Sequence, residues 1–328
     1  MPLRLSFNRL LPPRLPPSVL NLVLRKVVKR RLARLQDPGL LRRGLERDAR
    51  FLFRDPPAAR YEAFSLPGPA GEIPALWAAR AGHERAGHKG AGDSAILFLH
   101  GGAYLAGSAR THRHLAAALA GASGSRALVI DYRLAPDHPL PLALDDARAA
   151  WDWLRGQGFA PERIAVAGDS AGGGLAFALV AALTANREPL PAAVAAFSPW
   201  VDMRGEAASI TRNAEQDAML PADRLMDVVR LCIGEGVDPA DWRVSPVLAT
   251  YRNPPPAIVF ASMDEILLDD AIAITDVLRR AGSDPVLELR QKLPHAWPVF
   301  HGYLEAAEET VARAGRFLGE ALAGRPPS

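Results

Sequence analysis

Cysteine is nearly absent from this chain of 328 residues: Cys232 stands alone, so no internal disulfide can form. A disulfide-stapled scaffold is excluded, and a reducing, cytoplasmic setting is the default expectation. Apolar runs are short, and none reaches the ~18 residues that a membrane-spanning helix needs. There is no H-E-x-x-H and no Cys/His cluster, so metal catalysis has no ligand set and no cofactor is expected. Internal repeats and low-complexity tracts are missing too. What is present is a balance of 49% apolar and 23% charged residues, which excludes a disordered or fibrous chain.

The net charge of +3 hides an asymmetry. Residues 1–50 carry 13 Lys/Arg against Asp37, Glu46 and Asp48, a net of +10, and the remainder carries −7. A signal peptide fits this start poorly, because Arg25 and Lys26 interrupt a short apolar core at Val19–Leu24 and no small-residue cleavage site follows. Leu20, Leu24, Val28, Leu32 and Leu35 recur at steps of three or four between Ser18 and Gln36, which predicts an amphipathic helix. Leu41, Leu45, Ala49 and Leu52 continue the pattern in a second helix after Pro38. Two readings of the basic face stay open: solvated helices packed on a larger body, or peripheral contact with a membrane surface. Nucleic acid is not expected as a partner, because no aromatic residues interleave with the charges.

Beyond Arg60 the texture is that of an α/β protein. Glu72–Ala79 reads as a strand, and His83–Asp93 as a loop. Ala95–Leu99, Ala127–Ile130, Ile164–Ala167, Val194–Phe197, Ala257–Ala261 and Val286–Leu289 are short apolar runs, as buried parallel strands should be. Helical patterns separate them at Thr111–Ala120, Leu142–Gln157, Gly173–Ala185, Asp269–Ala281 and Val299–Leu322. The long interval Trp200–Tyr251 reads as a helical insert near the edge of the sheet where ligands bind.

Two Gly-rich turns end neighbouring strands. Gly168-Asp169-Ser170-Ala171-Gly172 matches G-x-S-x-G between a strand and a helix, which projects the Ser170 hydroxyl from a tight turn. His100-Gly101-Gly102-Ala103-Tyr104 fits a loop that offers main-chain N–H groups to a developing oxyanion. A serine hydroxyl needs a base, and the base needs a carboxylate to orient it. Asp264, just past the strand Ala257–Ala261, and His295, just past Val286–Leu289, follow Ser170 in the expected chain order. Asp269 and Asp270 are explained by capping, and Glu265 is expected to point away from the histidine. His112, His114 and His301 are read as structural.

Together with Tyr132-Arg133-Leu134-Ala135-Pro136-Asp137-His138-Pro139, these motifs resemble the hormone-sensitive-lipase family of α/β-hydrolases, over roughly residues 70–320. The resemblance implies a mostly parallel eight-stranded sheet flanked by helices. It implies a helical cap formed by residues 1–60 and an insert at about 200–230, over a catalytic domain spanning 61–328. It casts Ser170 as nucleophile, His295 as general acid/base and Asp264 as its orienting partner, with N–H groups of Gly101, Gly102 and Ala171 as oxyanion hole. Arg133 and Asp146 are implied to hold the loop beneath the site. Candidate substrate-binding residues are Tyr104, Asp169, Trp200, Val201, Met203 and Trp297. The implied substrates are small carboxylic esters, with lactones second, since the basic helices before the first strand look like the lactone-hydrolysing branch. Amide or peptide hydrolysis and a non-catalytic receptor are less favoured; a homodimer is compatible.

Overall fold

The computed structural model describes residues 14–34, 37–81 and 94–328. The expected loop 83–93 and Leu35 lie outside the described residues. Eight strands form one sheet in the order β1-β2-β4-β3-β5-β6-β7-β8. β1 (Ala59–Gly68) and β2 (Gly71–Arg80) make an antiparallel hairpin, and β2 runs antiparallel to β4 (Arg126–Ile130). β3 (Ala95–Leu99), β5 (Ile164–Asp169), β6 (Val194–Phe197), β7 (Ala257–Ser262) and β8 (Val286–Arg290) continue in parallel from β4.

The central strands are buried on both faces, and their alternation divides the core in two. Leu97, Leu99, Ile164 and Val166 point to one face, while Ile96, Phe98, Ala165 and Ala167 point to the other. The first face is covered by α5 (Leu142–Gly156), α6 (Ala171–Ala185) and α9 (Leu268–Arg280). The second is covered by α4 (Ala109–Ser123) and α10 (Glu305–Leu322). The expected helix at Val299–Leu322 is broken, because a 3₁₀ turn at Trp297–Phe300 precedes α10.

Ahead of the sheet, α1 (Pro17–Val23), a π-helical turn (Leu24–Lys29) and α2 (Arg30–Ala33) follow one another without interruption. α3 (Pro38–Leu52) follows, its N-terminus capped by Asp37, whose side chain accepts from the Gly39 N–H. Leu20 and Leu24 are buried as expected, but Leu52 is exposed. α3 is fastened to the body by Arg42, which donates to the carbonyls of Leu105 and Ala135 and to Asp137 at 2.8, 2.7 and 2.6 Å. The interval between β6 and β7 holds α7 (Ala208–Arg212) and α8 (Leu225–Cys232), with short 3₁₀ turns.

Candidate active site

β5 ends at Asp169 and α6 begins at Ala171, so Ser170 is the whole turn between them. Its φ of 53° lies in the left-handed region, a strained setting for a residue with a side chain. The turn can be this tight because the second residue of α6 is glycine: a Cβ on Gly172 would stand 2.0 Å from the Leu99 carbonyl oxygen.

Ser170 Oγ lies 2.8 Å from Nε2 of His295, which is delivered by the loop after β8. The partner of the other ring nitrogen is Glu265. Its Oε2 sits 2.6 Å from His295 Nδ1, with both side chains almost completely buried. This corrects the expectation for Asp264. The turn after β7 sends Asp264 outward, where its carboxylate accepts from the Lys292 backbone N–H at 2.8 Å. Glu265 turns inward, and its second oxygen accepts from the Ser262 N–H at 2.9 Å. Asn213 of the insert pins that turn by donating to the carbonyls of Met263 and Glu265. Burial on its own would lower the pKa of His295, but the hydrogen bond and charge of Glu265, with Asp217 and Asp169 farther off, carry it above the ordinary imidazole value.

The oxyanion loop differs from expectation at one position. The Gly101 N–H donates to Asp169 Oδ1 at 3.0 Å and is therefore occupied. The N–H groups of Gly102, Ala103 and Ala171 have no acceptor among the described residues. Ala103 adopts a φ of 57° and lines the same cavity as Ser170. Asp169 is thus a brace for the loop and not a surface for substrate. It is buried, and its Oδ2 faces His112 Nε2 at 3.5 Å. Burial pushes its pKa up, but His112, His100 and the Gly101 N–H outweigh that and hold it below the usual carboxylate range. Arg133, half-buried, pairs with the buried Asp146, its Nε 3.0 and 2.9 Å from the two carboxylate oxygens.

A cavity of about 110 Å³ opens beside Ser170. Besides Ala103 and Leu105 of the oxyanion loop, its wall draws on Leu32, Pro38 and Leu41 of the N-terminal helices, Leu220, Leu225, Val228 and Leu231 of the insert, and Ile266 and Leu267 after the acid turn. Of the six expected substrate-binding residues only Trp200 reaches it. Tyr104, Val201, Met203 and Trp297 are core residues: the Val201 N–H donates to Asp270, the Met203 N–H to Ser245, and Trp297 Nε1 to Thr310. The leucines of the wall escaped sequence reasoning because any amphipathic helix carries such residues; only the placement of these helices beside Ser170 selects them.

Residues 96–299 match a family model described as alpha/beta hydrolase fold. An acetyl-hydrolase of Streptomyces hygroscopicus is 37% identical over 223 residues, covering 68% of this chain and 74% of that one. Among solved structures, an esterase from the bacterial hormone-sensitive lipase family superposes with a TM-score of 0.84 at 36% identity, covering 93% of this chain and 98% of that one. A second solved structure, that of EstE5 soaked with p-nitrophenyl butyrate, gives a TM-score of 0.84 at 32% identity, covering 94% of this chain and 98% of that one. With this match over most of its length, the chain belongs to the α/β-hydrolase fold family, on its hormone-sensitive-lipase branch.

Proposed function

We propose that this protein is a serine carboxylesterase in which Ser170 is the nucleophile, His295 the general acid/base and Glu265 the carboxylate that orients it. The observation that carries the reading is the unbroken hydrogen-bonded line Ser170–His295–Glu265, at 2.8 and 2.6 Å, ending in a cavity walled by leucines. His295 Nε2 takes the hydroxyl proton as Oγ attacks the acyl carbon. Glu265 fixes the tautomer that leaves Nε2 free and stabilises the imidazolium that forms. The N–H groups of Gly102, Ala103 and Ala171 receive the oxyanion of the tetrahedral intermediate. His295 then protonates the leaving alcohol, and a water activated by the same nitrogen releases the acid from Ser170.

The apolar wall favours a small apolar acyl or alcohol group, in keeping with the acetyl-hydrolase and butyrate-soaked relatives. The test is turnover of nitrophenyl esters of increasing acyl length, beside a panel of lactones and amides. Wild type should hydrolyse the short esters, and Ser170→Ala should lose about six orders of magnitude in kcat. Ester turnover that survives in Ser170→Ala would overturn the assignment, and lactone turnover above that of every ester would redirect it.

A further inference from the structure

The first helical segment carries two apolar stripes, and the body uses only one. Leu20 and Leu24 face inward and are buried. Val19, Leu22, Val23, Lys26, Val27 and Arg30 recur at i, i+3, i+4, i+7, i+8 and i+11, the spacing of a second helix face. Of these, Val19, Leu22, Val23 and Val27 are 45, 52, 50 and 59% exposed. The basic residues divide the same way. Arg25 and Lys29 are spent on docking the helix, donating to the carbonyls of Gln216, Ala214 and Asp217. Lys26, Arg30 and Arg34 are exposed and have no acidic partner among the described residues.

We propose that this outward face docks the protein onto an anionic lipid surface. Charge complementarity selects that occupant. The sequence has nine Lys/Arg and no acidic residue before Asp37, whereas the chain beyond residue 50 carries a net −7 and would be repelled by the same lipid. Exposed valines and leucine interleaved with Lys and Arg suit the boundary between headgroups and acyl chains. No helix among the described residues is long and apolar enough to cross the membrane, so the contact is peripheral. Docking in this way would hold at the lipid a helical segment whose inward stripe forms part of the cavity wall. Leu32 of the same segment lines that cavity, as do Leu41 and Leu225, whose sequence neighbours Leu40 and Met226 are exposed. The segment that meets the lipid would then also touch the ester in the cavity, a consequence that rests on the esterase reading.

The experiment is co-sedimentation of the full chain with phosphatidylcholine vesicles, with and without phosphatidylglycerol, at low and high salt. Wild type should bind only the anionic vesicles and release in high salt. Each basic residue near such a surface is worth about a fivefold change in partitioning, so Lys26→Glu with Arg30→Glu should weaken binding at least ~25-fold. Leu22→Ser with Val23→Ser should weaken it at least ~10-fold through lost apolar burial. All these residues are exposed and outside the cavity, so turnover of a soluble nitrophenyl ester should stay at the wild-type value in both variants. Absence of binding to anionic vesicles would overturn the proposal. So would binding that ignores Leu22→Ser/Val23→Ser, the mark of a contact with any polyanion, nucleic acid included. A wild-type dimer in light scattering that this pair dissociates would also overturn it, since a second copy would then cover the face. Soluble-ester turnover without vesicle binding refutes docking alone; vesicle binding without turnover refutes the esterase reading alone.

Discussion

Replacing Glu265 by Gln separates the two adjacent carboxylates after β7. The amide has nearly the same shape, so the buried space stays filled, but it carries no charge and can present its NH₂ to His295 Nδ1. In that arrangement the imidazole flips to the tautomer with the proton on Nε2, and it can no longer accept from Ser170 Oγ, 2.8 Å away. The equivalent change in a serine protease costs about 10⁴ in kcat through the wrong tautomer, or about 5.5 kcal/mol of transition-state stabilisation. The acid–imidazole contact here is 2.6 Å, between side chains that are 1 and 2% exposed, so water is poorly placed to restore the lost partner. We therefore expect kcat for a nitrophenyl ester to fall by about 10³- to 10⁴-fold with KM little changed. The pH profile provides a second readout. The base must be neutral, so activity falls as pH drops through the pKa of His295, which Glu265 raises. Removing the charge lets burial dominate, and the acid limb of the residual activity should move to lower pH. Asp264→Asn touches only the Lys292 N–H at the rim and should change kcat less than about threefold, as surface substitutions do. Loss of activity in Asp264→Asn with near-normal Glu265→Gln would refute the reasoning.

Other perturbations test the loop, the cavity and the insert. A Cβ on Gly101 would stand 2.1 Å from Asp169 Oδ2. Gly101→Ala should therefore push the loop off its brace and lower kcat about 10²- to 10³-fold, as losing an oxyanion donor does; steady-state kinetics decides. Val228→Trp should fill the 110 Å³ cavity and shorten the preferred acyl chain, read as the ratio of acetate to octanoate ester turnover. Burial pushes the Asp270 carboxyl up to about 8, with Asp202 and Glu265 adding to the rise against the Val201 and Asp202 N–H donors. A carboxyl whose pKa is higher folded than unfolded binds more protons when folded, so its contribution to stability falls as pH climbs between the ordinary 3.8 and about 8. Asp270→Asn keeps an acceptor for both N–H groups, so relative to the variant the wild type should lose thermal stability across that window. Melts at pH 5 and pH 9 with the same difference would contradict this.

What could be read from residues alone follows from the range of the forces involved. β3 and β6 fall on the very residues expected, because a strand buried on both faces is an uninterrupted apolar run with sharp ends. β1 was not foreseen, since it lies at the edge of the sheet, contains Pro67, and alternates between half-buried and exposed residues. Ser170 and His295 were legible because chain order and strand ends constrain them. The choice between Asp264 and Glu265 was not, because period-2 alternation stops where the strand stops, at Ser262, and in a turn the direction of a side chain is set by distant partners. Those partners are Asn213 and Asp217, both from the insert and about fifty residues upstream, which hold the turn through the Glu265 carbonyl and the Ile266 N–H. The same insert supplies Leu225, Val228 and Leu231 to the cavity wall. One segment thus aims the acid and shapes the pocket, so a substitution there that shifts substrate preference should also alter the pH profile of His295. Neither property is written in a local motif.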